Sequence, residues 1–141
     1  MKVAIVYDRV NKIGGAERVL ESLKDIFPNS VLFTSVYNQS KAPWSKKFTV
    51  RTSFLQKIPL LSQRHELIPY LMPLAFESFR FDDFDLVLSV TSEASKGVIV
   101  PTAVPHVCVC LTPTRYLWSG YEGYFKNKLL EFISRPIVWY L

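Results

Sequence analysis

Gly14-Gly15-Ala16-Glu17-Arg18 closes a short loop and opens a stretch of helical apolar spacing. Paired glycines let the main chain come close to a ligand. The start of a helix adds free N–H groups and a partial positive charge. A phosphate is the natural guest of such a turn. The pair belongs neither to the dinucleotide pattern G-x-G-x-x-G nor to the P-loop G-x-x-x-x-G-K-[ST]. A tight turn without ligand accounts for it equally well.

Two further loops gather groups suited to a sugar or a phosphate. Ser92-Glu93-Ala94-Ser95-Lys96-Gly97 brings hydroxyls, a carboxylate and an ammonium to the end of an apolar run. Glu93 and Lys96 suit sugar hydroxyls there, and solvated loop groups are the competing account. Thr112-Pro113-Thr114-Arg115-Tyr116-Leu117-Trp118 follows another apolar run. Thr112 and Arg115 are its ligand candidates, because a guanidinium grips phosphate or carboxylate in a planar fork. Tyr116 and Trp118 suit either stacking on a sugar or packing against a neighbouring domain. Asp8, directly after the first apolar run, fits a general base or a turn-former.

Other chemistries find little support. The two histidines, His65 and His106, stand in a charged segment and at the entrance of a strand, so a Ser/His/Asp triad is not assembled. Asp82, Asp83 and Asp85 precede a strand and read as a turn cluster. Cys108 and Cys110, in C-x-C spacing, read as two reduced core thiols of a cytosolic protein. On a strand their Cα atoms would lie roughly 6.5–7 Å apart, wide for a disulfide. Zinc needs about four ligands, and no second Cys/His cluster accompanies the pair. The formal charge of +5 favours anionic partners, yet the 17 Lys and Arg residues are scattered, unlike a nucleic-acid arm. No apolar stretch reaches the ~18 residues of a spanning helix. Phe54 to Arg64 mixes apolar groups with cations, which suits either a peripheral membrane contact or a helix packed on a sheet.

These loops need elements to hold them. Val3 to Tyr7 is a continuous β-favouring run, as in a strand buried on both faces. Ala16 to Phe27 predicts a helix, with Val19, Leu20, Leu23, Ile26 and Phe27 on its apolar side and Pro28 ending it. Val31 to Val36 predicts a second strand, and Phe48 to Arg51 a short one. Phe54 to Phe79 reads as broken helices. Asp85 to Val90 and Val107 to Leu111 predict two more buried strands, and Phe125 to Leu141 an amphipathic helix that Pro136 kinks or ends. Alternation of this kind argues for an α/β, Rossmann-like parallel sheet flanked by helices, in one domain over 1–141. Ligands bind such sheets at the carboxyl ends of the strands, where the candidate loops lie. With 49% hydrophobic residues the chain can build a core, and its ten Phe, seven Tyr and three Trp leave aromatic surface for a partner.

The chain resembles the N-terminal domain of glycosyltransferase family 4, the group 1 glycosyltransferases of the GT-B fold. Four segments carry the resemblance: Met1 to Asp8, Gly14 to Leu20, Phe84 to Ser89, and Cys110 to Trp118. Arg51 to Gln56 and Leu71 to Ala75 also look like a bacterial subgroup of that family. The resemblance implies retaining transfer of a sugar from a nucleotide-diphosphate donor to a glycan or lipid-linked acceptor. It implies an acceptor-side role for this half, with Gly14 and Gly15 approaching the donor diphosphate and Asp8, Glu93, Lys96, Thr112 and Arg115 near acceptor or sugar. It implies no cofactor or metal, the sugar nucleotide being a substrate, and a cytoplasmic place at the inner membrane face. Relatives often carry His where this chain has Leu111, and His near the position of Glu93. The family's donor-binding second domain has no room in 141 residues, so the expectation is a half that needs its missing C-terminal domain. A non-catalytic α/β ligand-binding or regulatory domain is the alternative.

Overall fold

The computed structural model describes residues 1–58 and 71–112. The chain divides into two compact units, Met1–Leu111 and Thr112–Leu141, and the first is described here. Five strands form one all-parallel sheet: β1 (Val3–Tyr7), β2 (Val31–Thr34), β3 (Thr49–Thr52), β4 (Leu86–Thr91) and β5 (His106–Cys110), in the order β3-β2-β1-β4-β5. Helix α1 (Gly15–Ile26) links β1 to β2, and helix α2 (Leu71–Glu77) precedes β4. Short 3-10 turns cover Pro43–Lys47, Phe54–Lys57 and Ser95–Gly97. The α/β Rossmann-like sheet is the one the sequence predicts.

All five residues of β1 are buried, as a central strand of a parallel sheet requires. The sheet therefore has a core on each face. On one face, Ala4, Val6 and Val87 meet Phe76 of α2 and a cluster of rings. Phe33 stands at the centre of that cluster, with centroids of Phe79, Phe81 and Phe84 at 5.1, 5.1 and 5.5 Å. On the other face, Val3, Ile5, Leu32 and Leu88 lie under Leu20 of α1, with Val19 and Leu23 alongside. Ile26, expected on the apolar side of α1, is exposed. The helix stops where Phe27 N–H bonds back to Leu23 C=O at 2.8 Å and Pro28 follows.

The chain leaves β1 toward β2 and β3, then returns to the other side of β1 as β4. This reversal opens the sheet between the carboxyl ends of β1 and β4, the topological switch point at which such folds take ligands. Beyond Thr34 the chain leaves β2, earlier than the predicted Val36. Val10 then pairs with Tyr37, so the loop after β1 is stitched to the loop after β2.

The expectation of a buried last strand is corrected. β5 lies at the sheet edge, where His106, Val107, Cys108 and Cys110 are exposed, so the two thiols are not core residues. Its apolar letters match those of a central strand, and composition does not distinguish the two positions. Residues 59–70 of the stretch predicted as broken helices, and the amphipathic helix predicted for Phe125 to Leu141, lie outside the described residues.

Candidate functional site

Asp8 follows β1 at the switch point, and its carboxylate is almost wholly enclosed, at 5% exposure. Oδ2 accepts the N–H groups of Ser92 (2.7 Å) and Glu93 (3.0 Å). Oδ1 accepts those of Ala94 (3.0 Å) and Ser95 (2.8 Å). The Thr91 hydroxyl adds a bond at 3.2 Å. The loop after β4 thus folds its amides into a concave cradle of the kind that holds anions, and the resident anion is a side chain of the protein itself. On the opposite side the Asp8 carbonyl accepts from the Ser35 hydroxyl at the end of β2. One residue ties together the carboxyl ends of three strands.

The neighbouring side chains make the second layer. Arg9 Nη2 pairs with Glu93 Oε1, and the two side chains keep 20% and 27% exposure. Burial raises the Glu93 carboxyl above its ordinary range, and the Arg9 guanidinium opposes that rise. Lys96 is exposed in the turn that follows the cradle.

The glycine loop is built on another buried carboxylate. Gly14 caps α1 in extended backbone, without a side-chain bond to the free N–H groups. Glu17, the third helical residue, is 2% exposed. Its Oε1 accepts the Tyr7 hydroxyl at 2.7 Å, while Oε2 is buried without a partner. Burial, then the bond to Glu17, pushes the Tyr7 hydroxyl far above its ordinary range, so it stays a donor. A Cβ on Gly14 would stand 2.9 Å from Glu17 Oε2, whereas one on Gly15 would meet nothing within 4 Å. A side chain at Gly14 would therefore have to displace the buried Glu17 carboxylate. Gly15 is exposed, and the first amides of α1 have no partner one turn back in the helix. Trp44 Nε1 donates to the Lys12 carbonyl at 2.9 Å and holds the loop from its far side.

Of the residues singled out by sequence, Asp8 and Glu93 come together directly, through the Glu93 N–H. Gly14 and Gly15 open the helix that follows the same strand as Asp8. The bond from Leu111 N–H to the Thr91 carbonyl, 2.9 Å, carries the ladder one residue past β5, and Thr112 begins the second compact unit. Arg115, Tyr116, Trp118 and His65 lie outside the described residues. His106 sits at the amino end of β5, where its ring nitrogen contacts the Ser89 hydroxyl at 2.9 Å, away from these loops. Sequence reasoning gave no role to Arg9 or to the Glu17 carboxylate. The spacing of Glu17, three residues after the cap glycine, is that of a capping box and was the available signal.

An open polar depression lined by Tyr37, Asn38, Gln39, Ser40, Pro43 and Lys46 follows β2 on the same edge of the sheet. Among the described residues, no group of three His, Cys, Asp or Glu is placed to hold a metal ion, and no helix is long and apolar enough to cross a membrane. No family model, no curated protein and no solved structure matches the chain.

Proposed function

We propose that this chain is the acceptor-side, N-terminal half of a sugar-nucleotide glycosyltransferase, with the donor diphosphate meeting the start of α1. The carrying observation is that Gly15, the first residue of α1, is exposed and that a Cβ there would meet nothing within 4 Å. It follows a central strand of a parallel sheet, one loop from the switch point. The four segments of sequence resemblance support the same reading. Amides and a helix dipole aimed at a departing diphosphate are a known way to stabilise its charge. The acceptor, a glycan or lipid-linked sugar, lies over Glu93 and Lys96, at the inner face of the membrane. The partner half supplies most nucleoside contacts.

Gly15→Val tests this reading, because the added side chain has room in the fold yet stands over the first amides of α1. Titration of the 141-residue chain with a nucleoside diphosphate is expected to shift the Gly14, Gly15 and Ala16 amide resonances weakly. The shift should be lost in Gly15→Val with no change in thermal midpoint. Absence of any shift at those amides up to tens of millimolar ligand sinks the reading.

A non-catalytic ligand-binding domain is the second reading. It is favoured by one observation, that the Asp8 carboxylate is consumed by four main-chain N–H groups rather than left to take a proton.

A further inference from the structure

The cradle after β4 and the start of α1 are both built from free amides, yet only one of them is open. Asp8 fills the cradle: four consecutive N–H groups, Ser92 to Ser95, already point at its oxygens. A phosphate arriving at this loop would find its donors taken and a buried negative charge behind them. The charged groups acting on Glu93 are Arg9 and Lys12 on one side of the balance and Asp8 on the other.

What the loop does present is a paired acceptor and donor. Glu93 uses Oε1 for Arg9. Its Oε2 carries no hydrogen bond to the described residues, and over a quarter of the side chain is exposed. Arg9 has five N–H donors in a planar fork and spends one of them on Glu93. A carboxylate oxygen beside guanidinium donors matches two neighbouring hydroxyls, one donating to the carboxylate and the next accepting from the guanidinium.

We propose that Glu93, held by Arg9 and by the Asp8-bound loop, is the group that reads hydroxyls on a neutral polyol ring, while phosphate is directed away from this loop. Asp8 is the positioning residue in this arrangement, and Glu93 and Arg9 are the groups that touch ligand. The inference rests on the glycosyltransferase reading for its biological sense but is tested separately from it. It divides the strand ends into an anion side, at α1, and a hydroxyl side, at β4.

Amide and arginine-Nε NMR of the full 141-residue chain separates the two sides. The probes are methyl α-glucopyranoside, methyl α-mannopyranoside, methyl β-galactopyranoside and myo-inositol, with 2-methoxytetrahydropyran as the hydroxyl-free ring and inorganic pyrophosphate as the anion. At least one polyol is expected to give saturating shifts at Arg9 Nε and at the Glu93 and Ala94 amides, with none from 2-methoxytetrahydropyran. Whether a saccharide or the cyclitol binds better distinguishes the source of the ring. Glu93→Ala should weaken that polyol about tenfold or more, whereas Glu93→Gln, which keeps an oxygen acceptor, should retain part of the affinity. The Ser92–Ser95 amide shifts serve as the check that Asp8 still holds the loop in each variant. Pyrophosphate should leave Ser92–Ser95 untouched.

The proposal is overturned if no polyol moves Arg9 or Glu93. Equal polyol binding by wild type and Glu93→Ala overturns it too, as does pyrophosphate shifting the Ser92–Ser95 amides. Pyrophosphate shifts at Gly14 and Gly15 without polyol shifts at Glu93 would sink this inference and leave the donor-diphosphate reading standing. Silence at both places would sink both.

Discussion

Asp8 illustrates how a side chain can satisfy a loop that has no regular structure of its own. Four N–H groups on one carboxylate would otherwise be left unpaired in a place with little water. Asp8→Asn keeps the shape but turns one oxygen into an NH2 that faces donors. We expect a loss of about 2–4 kcal/mol by chemical denaturation, since the bonds are charge-assisted and buried. Tyr7→Phe removes the one hydrogen bond that the Glu17 carboxylate makes among the described residues and should cost about 1–3 kcal/mol. Two groups give opposite pH dependence. Although His106 is exposed as a residue, partial desolvation of its ring lowers its pKa, so the folded protein holds the proton less tightly than the unfolded chain. The contribution is then full above the ordinary imidazole range and is lost as pH falls through the folded value. His106→Gln should flatten that part of a plot of thermal midpoint against pH. For Glu93 the folded carboxyl lies above its ordinary range, so its contribution is full at acid pH and is lost as pH rises through the folded value. Glu93→Gln should remove that slope, which lies at lower pH.

At the scale of elements, the turn into α1 shows what sequence could and could not convey. The glycines, the helix and its stop were legible, because backbone freedom and apolar spacing are written in residue type. The reason for Gly14 was not. It lies in a contact with Glu17 Oε2 that depends on Tyr7 holding the carboxylate in place. Gly14→Ala is expected to cost about 1–3 kcal/mol, as overpacking does. Most of that cost should vanish in a Glu17→Ala background, which a double-mutant cycle by urea denaturation would measure. The role of Asp8 was hidden for a related reason: its partners are main-chain amides more than 80 positions away, and no side-chain pattern announces them. The edge position of β5 was missed because strand order is a property of the sheet. The bonds Val87 N–H to Pro105 and Leu111 N–H to Thr91 turn the odd-numbered residues of β5 toward β4. Among the described residues, the amides of His106 and Cys108 therefore face away from β4, along an edge that carries no Lys, Pro or bulge. Such an edge invites pairing with another strand.

For the whole molecule, the two-faced core is the part that composition alone came nearest to giving. Continuous apolar runs in β1 and β4 required cover on both sides, and the rings around Phe33 provide it on one. Phe81, fully buried within that cluster, anchors it. Phe81→Ala should lower stability by about 3–5 kcal/mol, read from denaturant midpoints at unchanged slope. The doubly wound order could be anticipated from alternating elements, but not the place of the reversal, which requires knowing that β4 returns to lie beside β1.

The carboxylate seated in the loop after β4 has one more consequence. Because that loop is held by an internal counter-ion, its shape does not wait for a guest. A ligand arriving there meets main chain already in its final form, and its affinity is not reduced by the entropy of ordering a segment. If a polyol binds there as proposed, the same arrangement makes its recognition rigid: a ring whose hydroxyls are spaced differently could not draw the loop toward itself, and selectivity among stereoisomers would be set before the encounter.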